Sequence, residues 1–246
     1  MSDFGSTVDP LDVARFAGHS ADWWDPDGTF RPLHQINAAR LDFIRRQLIG
    51  HFRRDGRALA PFAGLRLADI GCGGGLVAEP MTRLGFTVTG IDADPTAIAV
   101  ARDHAAAAGL VIEYQLADID ALVGAGERFD VVLALEIVEH VADRDAFFAG
   151  LGALVAPGGV LIGATLNRTS RAFAMAIVGA EYVLGWLPRG THDWQKFVRP
   201  SEFVLGLRRV GFNATRLAGL AYDWRRGVWR ETEDLAVNYM LVAVRR

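Results

Sequence analysis

Short apolar runs separated by turns and by segments of helical spacing alternate along this chain from about Leu65 onward. Runs at 65–70 and 86–91 read as strands, and the segments 75–84 and 95–108 that follow them read as helices. Further strands are expected over 110–116, 129–135 and 159–165, with a helix over 143–154 ahead of the last. Strands that are apolar throughout and joined through helices predict a parallel sheet covered on both faces. The tail breaks the alternation: 211–220 and 235–244 read as two strands with no room for a helix between them, hence an antiparallel pair at one edge. The expected fold class is therefore α/β, a mostly parallel seven-stranded sheet with an antiparallel edge strand and an N-terminal helical extension. Residues 1–60 form the extension and 61–246 the main domain, with an insertion at about 167–200.

The first strand runs into Asp69-Ile-Gly71-Cys-Gly73-Gly-Gly75, and an acid, Asp92, closes the second. Glycine lets a turn adopt positive φ and leaves no Cβ in a ligand's way, while a carboxylate at the neighbouring strand tip accepts ribose hydroxyl protons. This is the arrangement of a nucleotide-type cofactor site. A dinucleotide fingerprint counted from Gly71 places Leu76 where its third small residue belongs, so that frame fails. The spacing Asp69-x-Gly71-x-Gly73-x-Gly75 instead resembles motif I of the class I S-adenosylmethionine methyltransferases, a Rossmann-like fold.

At 246 residues the chain fits a single α/β domain, and its net charge of −3 gives no electrostatic case for nucleic acid. Cys72 is the only cysteine, which excludes an intrachain disulfide and suits a reducing compartment. With no histidine near it in sequence, it reads as a small packing residue. The start Met1-Ser-Asp-Phe-Gly carries no signal-peptide pattern, and a cytoplasmic location is expected.

Past the fourth strand comes Glu136-Ile-Val-Glu139-His140, a spacing that on a helical turn aims two carboxylates and an imidazole to one side. In an open α/β sheet this place is the mouth of the ligand crevice. Histidine is the commonest general base near neutral pH, whereas the bland reading is a solvated helix start. The insertion contains a fifteen-residue stretch, 173–187, with Glu181 as its single charge. It is shorter than the roughly 20 residues that span a bilayer. Two readings stand level: a packed lid over the substrate, or an interfacial segment with Trp186 at headgroup depth.

Taken together, 16–25 with Trp23 and Trp24, Phe30-Arg-Pro-Leu-His34, the glycine turn, Glu136-x-x-Glu139-His140, Thr165-Leu-Asn-Arg168, Gly179-Ala-Glu-Tyr182 and the run 187–200 resemble the ubiquinone-biosynthesis O-methyltransferases. The glycine turn belongs to a large superfamily, so the resemblance rests mainly on the tryptophan region and on 179–193. It implies transfer of methyl from S-adenosylmethionine to ring hydroxyls of polyprenylated catechol-type phenols and quinols, at both O-methylation steps of ubiquinone synthesis. Carried over residue by residue, it implies donor contacts at Arg40, Gly71, Gly73, Asp92 and Leu135, with Asp118 as partner of the adenine amine. The segment 117–120 departs from the family pattern and leaves Asp118 the weakest of these. Glu136, Glu139 and His140 are the implied chemistry, either with His140 as base or with all three holding Mg2+ or another divalent cation. A peripheral place on the inner membrane surface, reached through 173–187, and a quinone-biosynthesis complex are further implications. Rival readings are a methyltransferase of another small phenol or, less readily, of nucleic acid.

Overall fold

The structure, a computed structural model, describes residues 7–9, 13, 20–175 and 193–246. The segments around 179–192, including Trp186, and most of 173–187 lie outside the described residues. A long helix, α1 (Arg31–Phe52), with Pro32 in its first turn, ends where Arg53 turns left-handed at φ 51°. The alternating body follows: β1 (Arg66–Ile70), α2 (Ala78–Arg83), β2 (Thr87–Asp92), α3 (Pro95–Ala107), β3 (Glu113–Leu116), α4 (Ile119–Gly124), β4 (Phe129–Leu135), α5 (Arg144–Leu154) and β5 (Val155–Leu166). Then come α6 (Pro200–Arg209), β6 (Phe212–Asp223), β7 (Val228–Thr232) and β8 (Asn238–Arg245).

Local chemistry explains why several helices start where they do. Asp94, Asp118 and Asp143 each accept a backbone N–H of the first turn, from Thr96, Ala121 and Ala146, and so satisfy donors that a helix start leaves open. Helix α2 begins at Ala78, three residues later than the pattern suggests, because Gly71, Gly73 and Gly75 all take positive φ and cannot continue a right-handed helix.

The sheet runs β3-β2-β1-β4-β5-β8-β6-β7, parallel from β3 to β5 and antiparallel from β8 outward. The mostly parallel sheet, the antiparallel edge and the N-terminal helix match expectation; the strand count is eight, not seven. The extra strand is β7, which turns back from β6 through residues 224–227 and pairs Tyr222 with Trp229. Its five residues, Val-Trp-Arg-Glu-Thr, are too few and too charged to stand out as a buried run, as suits an edge strand.

Register sets the strand ends level. Gln115, Ile91, Ile70, Ala134 and Gly163 lie in one row across β3, β2, β1, β4 and β5. Immediately past that row stand Gly71, Asp92 and Leu135. Alternate strand residues feed two apolar layers. Leu67, Val88, Leu133 and Ile162 pack with Phe43, Ile44 and Leu48 of α1, and Ala68, Ile91, Val132 and Leu161 pack with Phe147 and Phe203 of α5 and α6.

Phe203 is fully buried, 5.5 Å from Phe148 and 6.5 Å from Tyr239 between ring centroids, and it presses on Gly163 of β5. Phe203→Ala is expected to cost about 3–5 kcal/mol of stability through lost burial and a residual cavity. Chemical denaturation checks this; a loss under about 1 kcal/mol means that α6 does not lock the second layer.

Candidate functional site

A cavity of about 870 Å³ opens at the carboxyl ends of the parallel strands, and Arg40, Gly71, Gly73, Asp92, Asp118, Leu135, Glu136, Glu139 and His140 all line it. Residues separated by a hundred positions in sequence thus converge on one space. Strand β1 delivers the glycine turn, β2 delivers Asp92, β3 leads to Asp118, and β4 ends at Leu135 with Glu136 to His140 beyond.

The turn and the second strand tip are tied together. Asp92 accepts the Gly73 N–H at 2.8 Å on Oδ2 and the Asp94 N–H at 2.9 Å on Oδ1. Each oxygen keeps a lone pair for a further donor. Burial raises the Asp92 carboxyl above its usual range, although these backbone N–H groups oppose the shift. A Cβ at Gly71, where φ is 74°, would stand 2.9 Å from Ile137 Cδ1. At Gly73 it would stand 2.4 Å from the ring of Trp23. Close packing by the N-terminal arm is therefore part of the reason the turn is glycine, a purpose the sequence pattern does not disclose.

That arm grips the turn at several points. Trp24 Nε1 donates to the Gly74 carbonyl at 2.8 Å and its ring stacks on His104 at 3.5 Å; Ser20 donates to the Asp94 carboxylate; Asn37 Nδ2 donates to the Leu76 carbonyl at 2.9 Å. The aromatic and polar positions of 23–40 thus become the cover of the site. Helix α1 then brings in Arg40, 4% exposed, whose Nη2 donates to Glu136 Oε1 at 2.6 Å. Among the described residues, buried Arg40 Nε, Asn37 Oδ1, Trp23 Nε1 and Trp229 Nε1 have no hydrogen-bond partner, and all four residues line the cavity. Orphaned buried polar atoms are costly unless a ligand or water completes them.

Glu136 to His140 is a tight turn, not a helical one. Glu136 sits at φ 53°, a conformation that costs a non-glycine residue of order 1–3 kcal/mol. His140 N–H closes the turn onto the Ile137 carbonyl at 2.8 Å. The predicted single face is thereby broken up. Glu136 turns to Arg40, and Glu139, 3% exposed, accepts from Thr165 Oγ1 at 2.8 Å. Among the described residues no group of three or more His, Cys, Asp or Glu side chains is assembled to hold a metal ion. The donor set expected for a divalent cation is therefore not assembled among the described residues; one oxygen of Glu136 is held by Arg40 and one of Glu139 by Thr165.

Sequence reasoning passed over Asp69, Asn37 and Trp229 as wall residues. Asp69 carried a signal, a charge among the otherwise apolar residues 67–70 that end the strand. Burial, and then the charge of Asp92, push its carboxyl up to about 7, with Arg40 opposing. Asp118 lies on the wall while one of its oxygens caps α4. The described wall carries Asp9, Asp69, Asp92, Asp94, Asp118, Glu136 and Glu139 against Arg31 and Arg40, with Asp9 paired to Lys196. Such a surface suits a cationic ligand and repels a pyrophosphate.

Known proteins share this chain over nearly its whole length. A ubiquinone biosynthesis O-methyltransferase of Paramagnetospirillum magneticum is 52% identical over 243 residues, covering 99% of this chain and 97% of the relative. The chain belongs to the ubiquinone biosynthesis O-methyltransferase family. Relatives of the same description from Azorhizobium caulinodans, at 52% identity over 96% of this chain and 94% of the relative, and Cereibacter sphaeroides, at 51% over 98% of each, agree. The family model described as "Methyltransferase domain" matches residues 68–163, from β1 into β5. In fold, the chain is similar to a magnesium protoporphyrin IX methyltransferase of Synechocystis solved with SAH bound (TM-score 0.64, 18% identity, 96% of this chain and 100% of that one). A possible histamine N-methyltransferase of Thermotoga maritima gives a TM-score of 0.62 at 14% identity, over 96% of this chain and 99% of that one. Family membership makes this an S-adenosylmethionine-dependent O-methyltransferase, and the carboxylate-rich cavity with its orphaned donors fits that sulfonium ligand.

Burial, and next the charge of Glu136, push the Glu139 carboxyl up to about 7 from 4.5. An acid raised on folding contributes stability that is fully present below its unfolded value and lost as pH rises through the folded one. Glu139→Gln, which keeps an acceptor for Thr165, is thus expected to stabilise the ligand-free protein by roughly 1–3 kcal/mol near pH 8, the gain shrinking as pH falls from about 7 to 4.5. Thermal unfolding across pH measures it; a gain that grows on acidification contradicts the sign.

Proposed function

We propose that the protein methylates ring hydroxyls of polyprenylated catechol-type phenols and quinols, at both O-methylation steps of ubiquinone synthesis, with S-adenosylmethionine as donor. The observation that carries the proposal is the convergence of Arg40, Gly71, Asp92, Leu135 and the turn 136–140 on one cavity at the strand tips. Arg40 meets the methionine carboxylate with its open Nε–H, and Glu136 fixes the guanidinium through Nη2. Gly71 and Gly73 let backbone approach the donor, Asp92 accepts the ribose hydroxyls, and Leu135 lies along the donor at the end of β4. Asp118, on the cavity wall past β3, meets the adenine amine.

The bound sulfonium supplies an activated methyl group. What remains for the chain is to hold the acceptor oxygen in line and to remove its proton, since a phenol titrates near pH ~10 and is mostly protonated at neutral pH. His140 acts as that base, a role supported by its position on the cavity wall at the end of the turn. His140→Ala is expected to lower kcat at least roughly 100-fold while S-adenosylmethionine affinity stays within about twofold. Unchanged turnover removes His140 from the chemistry.

A divalent cation such as Mg2+ on Glu136, Glu139 and His140 is the other route to a phenolate. The arrangement of these side chains favours the base. Methyl transfer after exhaustive chelation decides: retained activity supports His140 alone, and loss restored by added Mg2+ supports the cation.

The remaining assignments belong to the same proposal: an arm of 1–60 packing on a methyltransferase domain of 61–246 with the insertion at about 167–200, and a peripheral place on the cytoplasmic face of the inner membrane, within reach of a quinone-biosynthesis complex. Among the described residues no helix is long and apolar enough to cross a membrane. A prenylated catechol is expected to be methylated with at least tenfold higher kcat/KM than its tail-less analogue, on the order of two buried methylenes' worth of binding. Equal values point to another small phenol as the substrate.

A further inference from the structure

We infer that the tip of the β6–β7 hairpin, Trp224 to Val228, is a lipid-contacting rim that seats the cavity mouth on an anionic bilayer. The surface is a different stretch of sequence from segment 173–187 and rests on the proposed prenylated substrate only for its purpose. The tip is exposed and unusual in composition: Trp224 is 78% and Val228 49% exposed, with Arg225, Arg226 and Arg230 beside them. Arg225 lies over the Trp224 ring at 5.4 Å. Tryptophan flanked by arginines is the side-chain set of a membrane interface, where the ring sits among headgroups and guanidiniums meet lipid phosphate.

Charge at the tip is one-sided. Its one carboxylate, Asp223, is turned inward, accepting the Arg225 and Arg226 N–H groups and lying 3.7 Å from Arg230. Of the next acids along the chain, Glu231 is engaged by Arg46 and Arg216 and Asp234 by Arg171, while exposed Glu233 lies past the far end of β7, away from the tip. An anionic surface is the complement of what is left. Backbone groups of the turn are also satisfied, since the Arg226 and Gly227 N–H groups donate to the Asp223 carbonyl, so little unpaired main chain would enter the headgroup layer.

Position ties the tip to the cavity. Tyr222 and Trp229 pair across the hairpin with ring centroids 5.7 Å apart, and both line the cavity, Tyr222 at half exposure. Aromatic surface therefore runs from the wall of the cavity to the hairpin tip. A prenyl chain leaving a bilayer beneath Trp224 reaches the cavity along that surface without crossing water.

The test is flotation of the full-length protein with vesicles of phosphatidylcholine alone or mixed equally with phosphatidylglycerol. The wild type is expected to float with the anionic vesicles. Arg225→Gln with Arg226→Gln should reduce partitioning roughly 30-fold, about fivefold for each arginine. Trp224→Gln should reduce it further, with thermal stability and S-adenosylmethionine uptake unchanged. Variants that float like the wild type, or a wild type that does not float, overturn the inference. Methyl transfer to a tail-less catechol keeps the two proposals distinguishable: it should be the same in all variants, and its absence in the wild type removes the functional reading without touching the flotation result.

Discussion

The site depends on one carboxylate. Asp92 accepts N–H groups from Gly73 in the first strand's turn and from Asp94 beyond the second strand, and so reinforces with its side chain the backbone tie that the Gly71 and Cys72 N–H groups make to the Ile91 carbonyl. The tie is possible because register puts Ile70 level with Ile91, and because glycine at 71 and 73 lets the turn fold back at positive φ. Its electrostatic consequence is unfavourable until a ligand arrives: Asp69 and Asp92 are buried together, and the pressure on both carboxyls is upward. Arg40 opposes that pressure, but it is itself shared with Glu136. A cationic sulfonium relieves such a wall, whereas a redox dinucleotide adds to its charge.

Around this centre the N-terminal arm and the sheet divide the work. Strand tips supply acids and backbone, which are precisely positioned because parallel strands buried on both faces move little. The arm supplies the cover: Trp23 on the glycine turn, Trp24 bonded to Gly74 and stacked on His104, and Arg40 reaching in from α1. Donor entry must therefore involve surfaces that are already in contact, and residues 20–40 are as much part of the site as the glycine motif.

Much of this was legible in the chain. Apolar runs of strand length gave β1, β2, β4 and the helices between them, because buried parallel strands leave a continuous hydrophobic signal. The short, charged β7 gave none, and neither did the left-handed backbone at Glu136, which defeats any argument from i, i+3, i+4 spacing. Nine site residues named from sequence line one cavity, yet two of them, Glu136 and Glu139, have partners that spacing did not reveal, since Arg40 and Thr165 lie 96 and 26 positions away. Long-range pairing is what a single sequence hides.

Isothermal titration of the purified protein with S-adenosylmethionine, with NADH in parallel, tests the central claim most directly. The carboxylate-lined cavity predicts saturable one-to-one uptake of the sulfonium and no heat of binding with the dinucleotide. Binding of NADH, or no uptake of S-adenosylmethionine by folded protein, would contradict it.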